Sequence, residues 1–154
     1  MFELFKDYCK STPVTRNRVN KKTGSNNSTI RFTTRQLSCF TQLHELFYVN
    51  KVKIVPINIE EILTPVSLAY WAMDDGSKQG KGFHLNTYNY TLEEVQLLSK
   101  VLLTKFNLNN SIHSHKNGHR IYIKSNSMNT FKSLVFPYFH SSMLYKLEVK
   151  DQSK

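Results

Sequence analysis

Acidic residues are scarce in this chain: 11 Asp and Glu stand against 21 Lys and Arg, a formal charge of +10. That excess goes well beyond what solubility requires and points to a polyanionic partner. Long apolar runs are missing too. With no stretch of about 18 apolar residues and no lone basic amphipathic helix, nucleic acid is a better reading of that partner than a membrane. Cysteine is nearly absent, and Cys9 and Cys39 form neither a CxxC pair nor a Cys/His spacing suited to zinc. Both read as free thiols in a reducing compartment. The N-terminal MFELFKDYCKS has acidic residues early and no basic region followed by an apolar run, so no signal peptide is read there. A length of 154 residues with 40% hydrophobic content supports one good core or two small ones, and excludes a large multidomain enzyme.

Periodicity supplies the elements. Phe2, Phe5 and Cys9 are spaced as the end of an amphipathic helix. Residues 10–28 are polar and basic, with Arg16, Arg18, Lys21, Lys22 and Gly24, and read as a solvated loop or hairpin tip; residues 28–34 read as a strand. Leu37, Phe40, Leu43, Leu46 and Phe47 recur at three and four and predict a helix over 36–49, ahead of a basic segment at 50–54. Pro56 and Pro65 bracket a connector with a short helical turn, where the domain boundary is placed. Residues 1–55 then form one part, 62–148 a second and 149–154 a tail.

Thr64 is a good N-cap with Pro65 at the first helical position, and VSLAYWAMDDG predicts a helix stopped by Gly76. It is apolar all round until Asp74, which predicts burial on every side. A strand over 82–90 follows. Thr91 and Glu94 form a capping box opening a helix to about Phe106, and Asn117-Gly118 sits between two alternating runs as a hairpin signal over 113–123. A last long helix spans 126–136, stopped by Pro137, and SSMLYKL forms a terminal turn.

Two carboxylates, Asp74 and Asp75, thus close an apolar helix. The helix dipole and the neighbouring anion both disfavour charge there, and a divalent cation would relieve it. The bland alternative is a plain C-terminal turn, in which Asp and Gly are common. The nonapeptide LAYWAMDDG, residues 68–76, lies within LTPVSLAYWAMDDGSK, and the chain closes with MLYKL. In these phrases and in element order the chain resembles the LAGLIDADG homing endonucleases, most of all the two-motif members of mitochondrial introns.

The resemblance implies an α+β fold, an antiparallel β-saddle backed by helices, with one complete module at 62–148 and a partial one at 1–55 that lacks its motif helix. It implies Mg²⁺-dependent hydrolysis of a long double-stranded DNA site and a mitochondrial location. Asp75 takes the place of the family's metal-ligating catalytic acid. Lys146 in MLYKL and Lys53 match the lysines the family sets near the scissile phosphates, although either could be an ordinary surface lysine. The helix at 65–75 would pair with a second copy or with a first-module chain.

Alternation places His84, Asn86 and Tyr88 opposite Phe83, Leu85 and Thr87, and Arg120, Tyr122 and Lys124 opposite Ile121 and Ile123. One face is apolar; the other suits DNA, with Lys78, Lys81, His113 and His115 beside it. His113, His115 and His119 flank a turn and read as exposed polar residues rather than a metal site. Two other readings stand: an RNA-binding intron maturase or non-cleaving DNA-binding remnant, and a gene fragment that does not fold alone.

Overall fold

The computed structural model describes residues 2–148 and divides into two compact units, Met1–Glu45 and Leu46–Lys154. In the first, α1 (Phe2–Phe5) continues as a 3-10 turn, Lys6–Tyr8, before β1 (Val14–Val19) and β2 (Asn26–Arg31) pair antiparallel from Val14 opposite Arg31 to Val19 opposite Asn26. Between them Gly24 takes φ +68°, a left-handed conformation that costs glycine little. Helix α2 (Ser38–Phe47) follows. Every position of β1 and β2 is exposed. Backbone pairing and a few rings hold this unit: Phe2 and Phe5 lie 5.5 and 6.4 Å from Phe32, and Tyr8 lies 5.6 Å from Phe40. The loop expected over 10–28 and the strand expected over 28–34 resolve into two six-residue strands. VTRNRV, expected as loop, buries neither face and carries no apolar alternation to read, while NNSTIR overlaps the strand expected from residue 28.

The second unit starts with a tight hairpin, β3 (Tyr48–Val49) and β4 (Val52–Lys53), whose turn residues Asn50 and Lys51 have φ of 50° and 67°. Two successive left-handed residues match the right-handed twist of paired strands. Next come α3 (Ile59–Ile62), α4 (Pro65–Asp75), β5 (Gly76–Gln79), β6 (Gly82–Asn86), α5 (Leu92–Phe106), β7 (Asn110–His115), β8 (Gly118–Ile123) and α6 (Met128–Val135), then a 3-10 segment, Ser141–Leu147. The four long-chain strands form one antiparallel sheet in the order β5-β6-β8-β7. Phe83, Leu85, Ile121 and Ile123 point to one side and meet Leu68, Ala69 and Ala72 of α4, Val95, Leu98, Val101 and Leu102 of α5, and Phe131 and Val135 of α6. Val55, Ile59 and Leu63 of the connector join this core, so the segment between the prolines packs with the second unit.

Local chemistry sets the helix ends. Thr64 and Ser67 form a capping box at α4, and Thr91 and Glu94 form another at α5, while Asn107 closes α5 at φ 55°. Glu94 also accepts the Val55 N–H at 2.8 Å, tying the connector to the first turn of α5. Three expectations change. Helix α4 is not buried all round: Leu68, Ala69 and Ala72 make one stripe, while Val66 is 38% exposed and Tyr70 and Met73 are half-buried, because sheet and α6 occupy one side. The strand at 82–90 ends at Asn86, where Thr87 turns to bond the His119 carbonyl at 2.7 Å. The helix at 126–136 begins as a 3-10 turn, Ser125–Ser127. Residues 149–154, the expected tail, lie outside the described residues.

Candidate carboxylate site and nucleic-acid interface

Helix α4 runs straight into β5 with no loop between them. Asp75 is its last residue, Gly76 the first of the strand, and a side chain at 76 would run into the Ala72 carbonyl and the Phe83 ring. Glycine is therefore required for the helix end to sit this close to the sheet, and that closeness leaves Asp74 and Asp75 exposed at the tip. The Gly76 N–H donates to the Ala72 carbonyl. One residue on, the Met73 carbonyl accepts from the Lys146 ammonium, and Met73 Sδ accepts the His140 N–H at 3.3 Å. An ammonium on the last carbonyls is the favourable charge for a helix C-terminus.

Lys53 belongs to the same end. Its ammonium stands 5.6 Å from the centre of the Tyr90 ring. Burial draws its pKa down, but a Tyr90 hydrogen bond and the charges of Tyr90, Tyr48 and Asp75 outweigh this, and the net shift is upward. The three residues singled out for chemistry, Asp75, Lys146 and Lys53, are thus gathered around the tip of α4. The carboxylates there are hard oxygen donors open to solvent, and among the described residues no three His, Cys, Asp or Glu side chains converge as a metal cage. Such oxygen donors suit a divalent cation whose shell substrate phosphates and water can complete.

The sheet face away from the core carries His84 and Asn86 from β6, Arg120 and Tyr122 from β8, and His113 and His115 from β7, aligned by the register His84–Tyr122, Asn86–Arg120 and His113–Arg120. Tyr122 stacks on His113 with ring centres 5.1 Å apart, and Tyr88 stacks on His115 at 5.2 Å. Gly82 makes room for Tyr122, since any side chain there would strike its ring. Alternation counts His84 among the open residues, yet it is only 4% exposed. Tyr122 packs edge-on at 5.1 Å, and His113 Nδ1 lies 3.4 Å from its Nε2, so neighbours on the same face cover it. Burial, then the positive charges of Arg120 and His113, holds the His84 imidazole below its ordinary pKa.

Three buried polar atoms on this face have no hydrogen-bond partner among the described residues: His84 Nδ1, Asn86 Oδ1 and Arg120 Nε. Leaving such an atom unpaired costs about 1–3 kcal/mol, a cost that water or a ligand reaching it would relieve. The lysines divide. Lys81, in the β5–β6 turn, and Lys124, after β8, are exposed. Lys78 shares the side of its cross-strand partner Phe83 and forms an ion pair with Glu148. Sequence reasoning missed β5, and with it Ser77 and Gln79, which lie beside His84 and Gly82. The signal available was the Gly80-Lys81 turn.

A sequence model of the LAGLIDADG DNA endonuclease family matches residues 1–131. The chain belongs to that family. Among its relatives are the cytochrome b mRNA maturase bI2 of Debaryomyces hansenii, 37% identical over 145 residues and covering 91% of this chain, and the intron-encoded endonuclease ai4 of Dictyostelium discoideum, 38% identical over 122 residues and covering 77% of each. The homing endonuclease I-WcaI, solved bound to its DNA recognition sequence, superposes with a TM-score of 0.87 at 36% identity over 97% of this chain. The LAGLIDADG fold inferred from the motif is therefore the fold observed. The chain spans 54% of the Debaryomyces maturase and 69% of the I-WcaI chain.

Proposed function

We propose that this LAGLIDADG chain acts in an intron-encoded homing endonuclease that hydrolyses phosphodiester bonds within a long duplex DNA site. One observation carries the reading: an exposed carboxylate, Asp75, sits at the joint between a partly buried helix and a sheet whose open face holds unpaired polar atoms and stacked rings. The sheet face binds the duplex in a groove, with Arg120, Asn86, His113, His115, Tyr88 and Tyr122 on base edges and Lys81 and Lys124 on phosphates. Asp75 is the metal ligand. A divalent cation, Mg²⁺ by its hard oxygen donors, supplies polarisation of the scissile phosphate and offsets charge on the leaving oxygen. Lys146 steadies the α4 tip through Met73 and keeps further N–H donors for the phosphate. Lys53 adds positive charge on the Asp75 side.

The sequence holds one such motif carboxylate, so a double-strand cut needs a second one from another copy or another module meeting α4 along its half-exposed stripe of Val66 and Tyr70. A mitochondrial site of action follows from the family resemblance and agrees with a relative named for cytochrome b mRNA. To test the reading, the purified chain is incubated with a duplex library and Mg²⁺ and the cut ends are sequenced. Metal-dependent ends at a defined site, lost in Asp75→Asn while binding persists, support it; equal behaviour of wild type and Asp75→Asn removes it.

A second reading, a maturase that binds intron RNA without cutting, is favoured by two relatives named as mRNA maturases. Stronger binding to intron RNA than to duplex DNA at matched salt would decide for it.

A further inference from the structure

Lysine does not hold one position by itself. Its ammonium ends a long flexible stem, and fixing that stem costs side-chain entropy. Lys53 is exposed and stands on β4, a strand of two residues, yet its ammonium lies 5.6 Å from the centre of the Tyr90 ring. That is within reach of a cation–π attraction, which favours the charged lysine. Tyr48 is the cross-strand partner of Lys53 on β3, so a second phenol leaves the same face of the hairpin. The charge of Asp75 reaches the ammonium from the tip of α4.

Backbone bonds explain why lysine and ring meet. One carboxylate serves both segments: Glu94 Oε1 accepts the Val55 N–H at 2.8 Å, and Glu94 Oε2 accepts the Thr91 N–H at 2.7 Å. Val55 comes two residues after Lys53, and Thr91 directly after Tyr90. Further bonds hold each segment from its other side. The Ile54 N–H donates to the Phe47 carbonyl at 2.8 Å, and the Tyr90 N–H to the Thr87 carbonyl at 3.1 Å. Tyr90 is half-buried and packs against the core, so its ring is held independently of the lysine.

We infer that Tyr90 is a positioning residue, whose ring and hydroxyl hold the Lys53 ammonium on the Asp75 side of the site. This rests on the endonuclease reading above, in which Lys53 brings positive charge there, and adds the part that aims it. Tyr90 acts through Lys53 without itself meeting a phosphate. The first test needs no cleavage. The ε-methylene signals of Lys53 are titrated by NMR in the whole chain, in Tyr90→Phe and in Tyr90→Leu. Burial lowers the ammonium's pKa, while the Tyr90 hydrogen bond and the charges of Tyr90, Tyr48 and Asp75 raise it. Losing the hydroxyl in Tyr90→Phe therefore moves the titration to lower pH, and Tyr90→Leu, which also lacks the ring face, moves it further. Phenylalanine keeps the packing against the core, so the shift in that variant is not a loss of fold. A Lys53 titration unmoved in both variants overturns the inference.

The second test is cleavage with Mg²⁺ and saturating duplex. The single-turnover rate falls about tenfold in Tyr90→Leu and less in Tyr90→Phe, which keeps the ring face, while affinity for the duplex stays that of the wild type. The alkaline limb of the rate profile moves with the Lys53 titration. In a Lys53→Met background, Tyr90→Phe has no further effect, because the group it aims is gone. An equal further effect there, or a loss of affinity at an unchanged rate, overturns the inference. If the wild type cuts no duplex, the endonuclease reading falls and the cleavage arm with it, while the Lys53 titration still decides whether Tyr90 holds the ammonium.

Discussion

The two units solve the same problem with different materials. In the second, four strands and three helices bury Phe83, Phe131, Leu68, Leu85, Leu102, Ile121 and Ile123 almost completely. In the first, Cys9 is the one buried hydrophobic side chain among the described residues, and Val14, Val19 and Ile30 stand more than half exposed. A paired hairpin can therefore have defined register without a core beneath it, since its ladder hydrogen bonds are local. Stability is another matter. It follows apolar area removed from water, at roughly 25 cal/mol per Å², and the second unit holds most of that area.

That contrast can be broken most sharply by truncating one ring in each unit. Phe83→Ala removes a fully buried ring that packs 5.0 Å from Phe131, and we expect it to cost about 3–5 kcal/mol, read as a fall in urea midpoint. Gly76→Ala comes next, at about 1–3 kcal/mol, because the new methyl meets the Ala72 carbonyl and the Phe83 ring. On the proposed function its cleavage rate should fall as well, since residue 76 adjoins Asp75. Thr91→Ala removes the hydroxyl that accepts the Glu94 N–H at 3.3 Å and should cost about 1 kcal/mol. Phe32→Ala in the first unit should cost less than Phe83→Ala by at least about 2 kcal/mol. Equal costs would mean that the first unit depends on its rings as the second depends on its core.

The smallest expected effect concerns pH. His84 has a folded pKa below its ordinary 6.5. The unfolded chain therefore takes up a proton first, so stability declines as pH falls from about 6.5 toward the folded value and levels off below it. His84→Asn should flatten that decline in a series of thermal melts, and an unaltered profile would assign the decline to other groups.

Sequence periodicity was a good guide where an apolar stripe or a cap governs the element. Thr91 and Glu94 mark the start of α5 and Phe106 its end; Thr64 and Pro65 mark α4; Asn117-Gly118 marks the β7–β8 hairpin. It failed where an element exists through its partner. GSKQ of β5 has no alternation and is a strand because β6 lies beside it, and β1 is exposed on both faces. At the candidate site, side-chain type and face were legible for Asn86, Arg120 and Tyr122. The covering of His84 was not, because it depends on His113 arriving from a strand two places away in the sheet. Likewise the Lys146 bond to Met73 joins residues 73 apart, a closure that no local pattern records.

The joint at Gly76 has a mechanical consequence. With no slack between the last turn of α4 and the first ladder bond of β5, whatever bends the sheet also turns the carboxylate at the helix tip. A substrate that curves the sheet to its own shape would aim Asp75 in the act of docking, and one that leaves the sheet flat would not. On the proposed function, fit along the whole length of the substrate becomes a condition for chemistry at one bond.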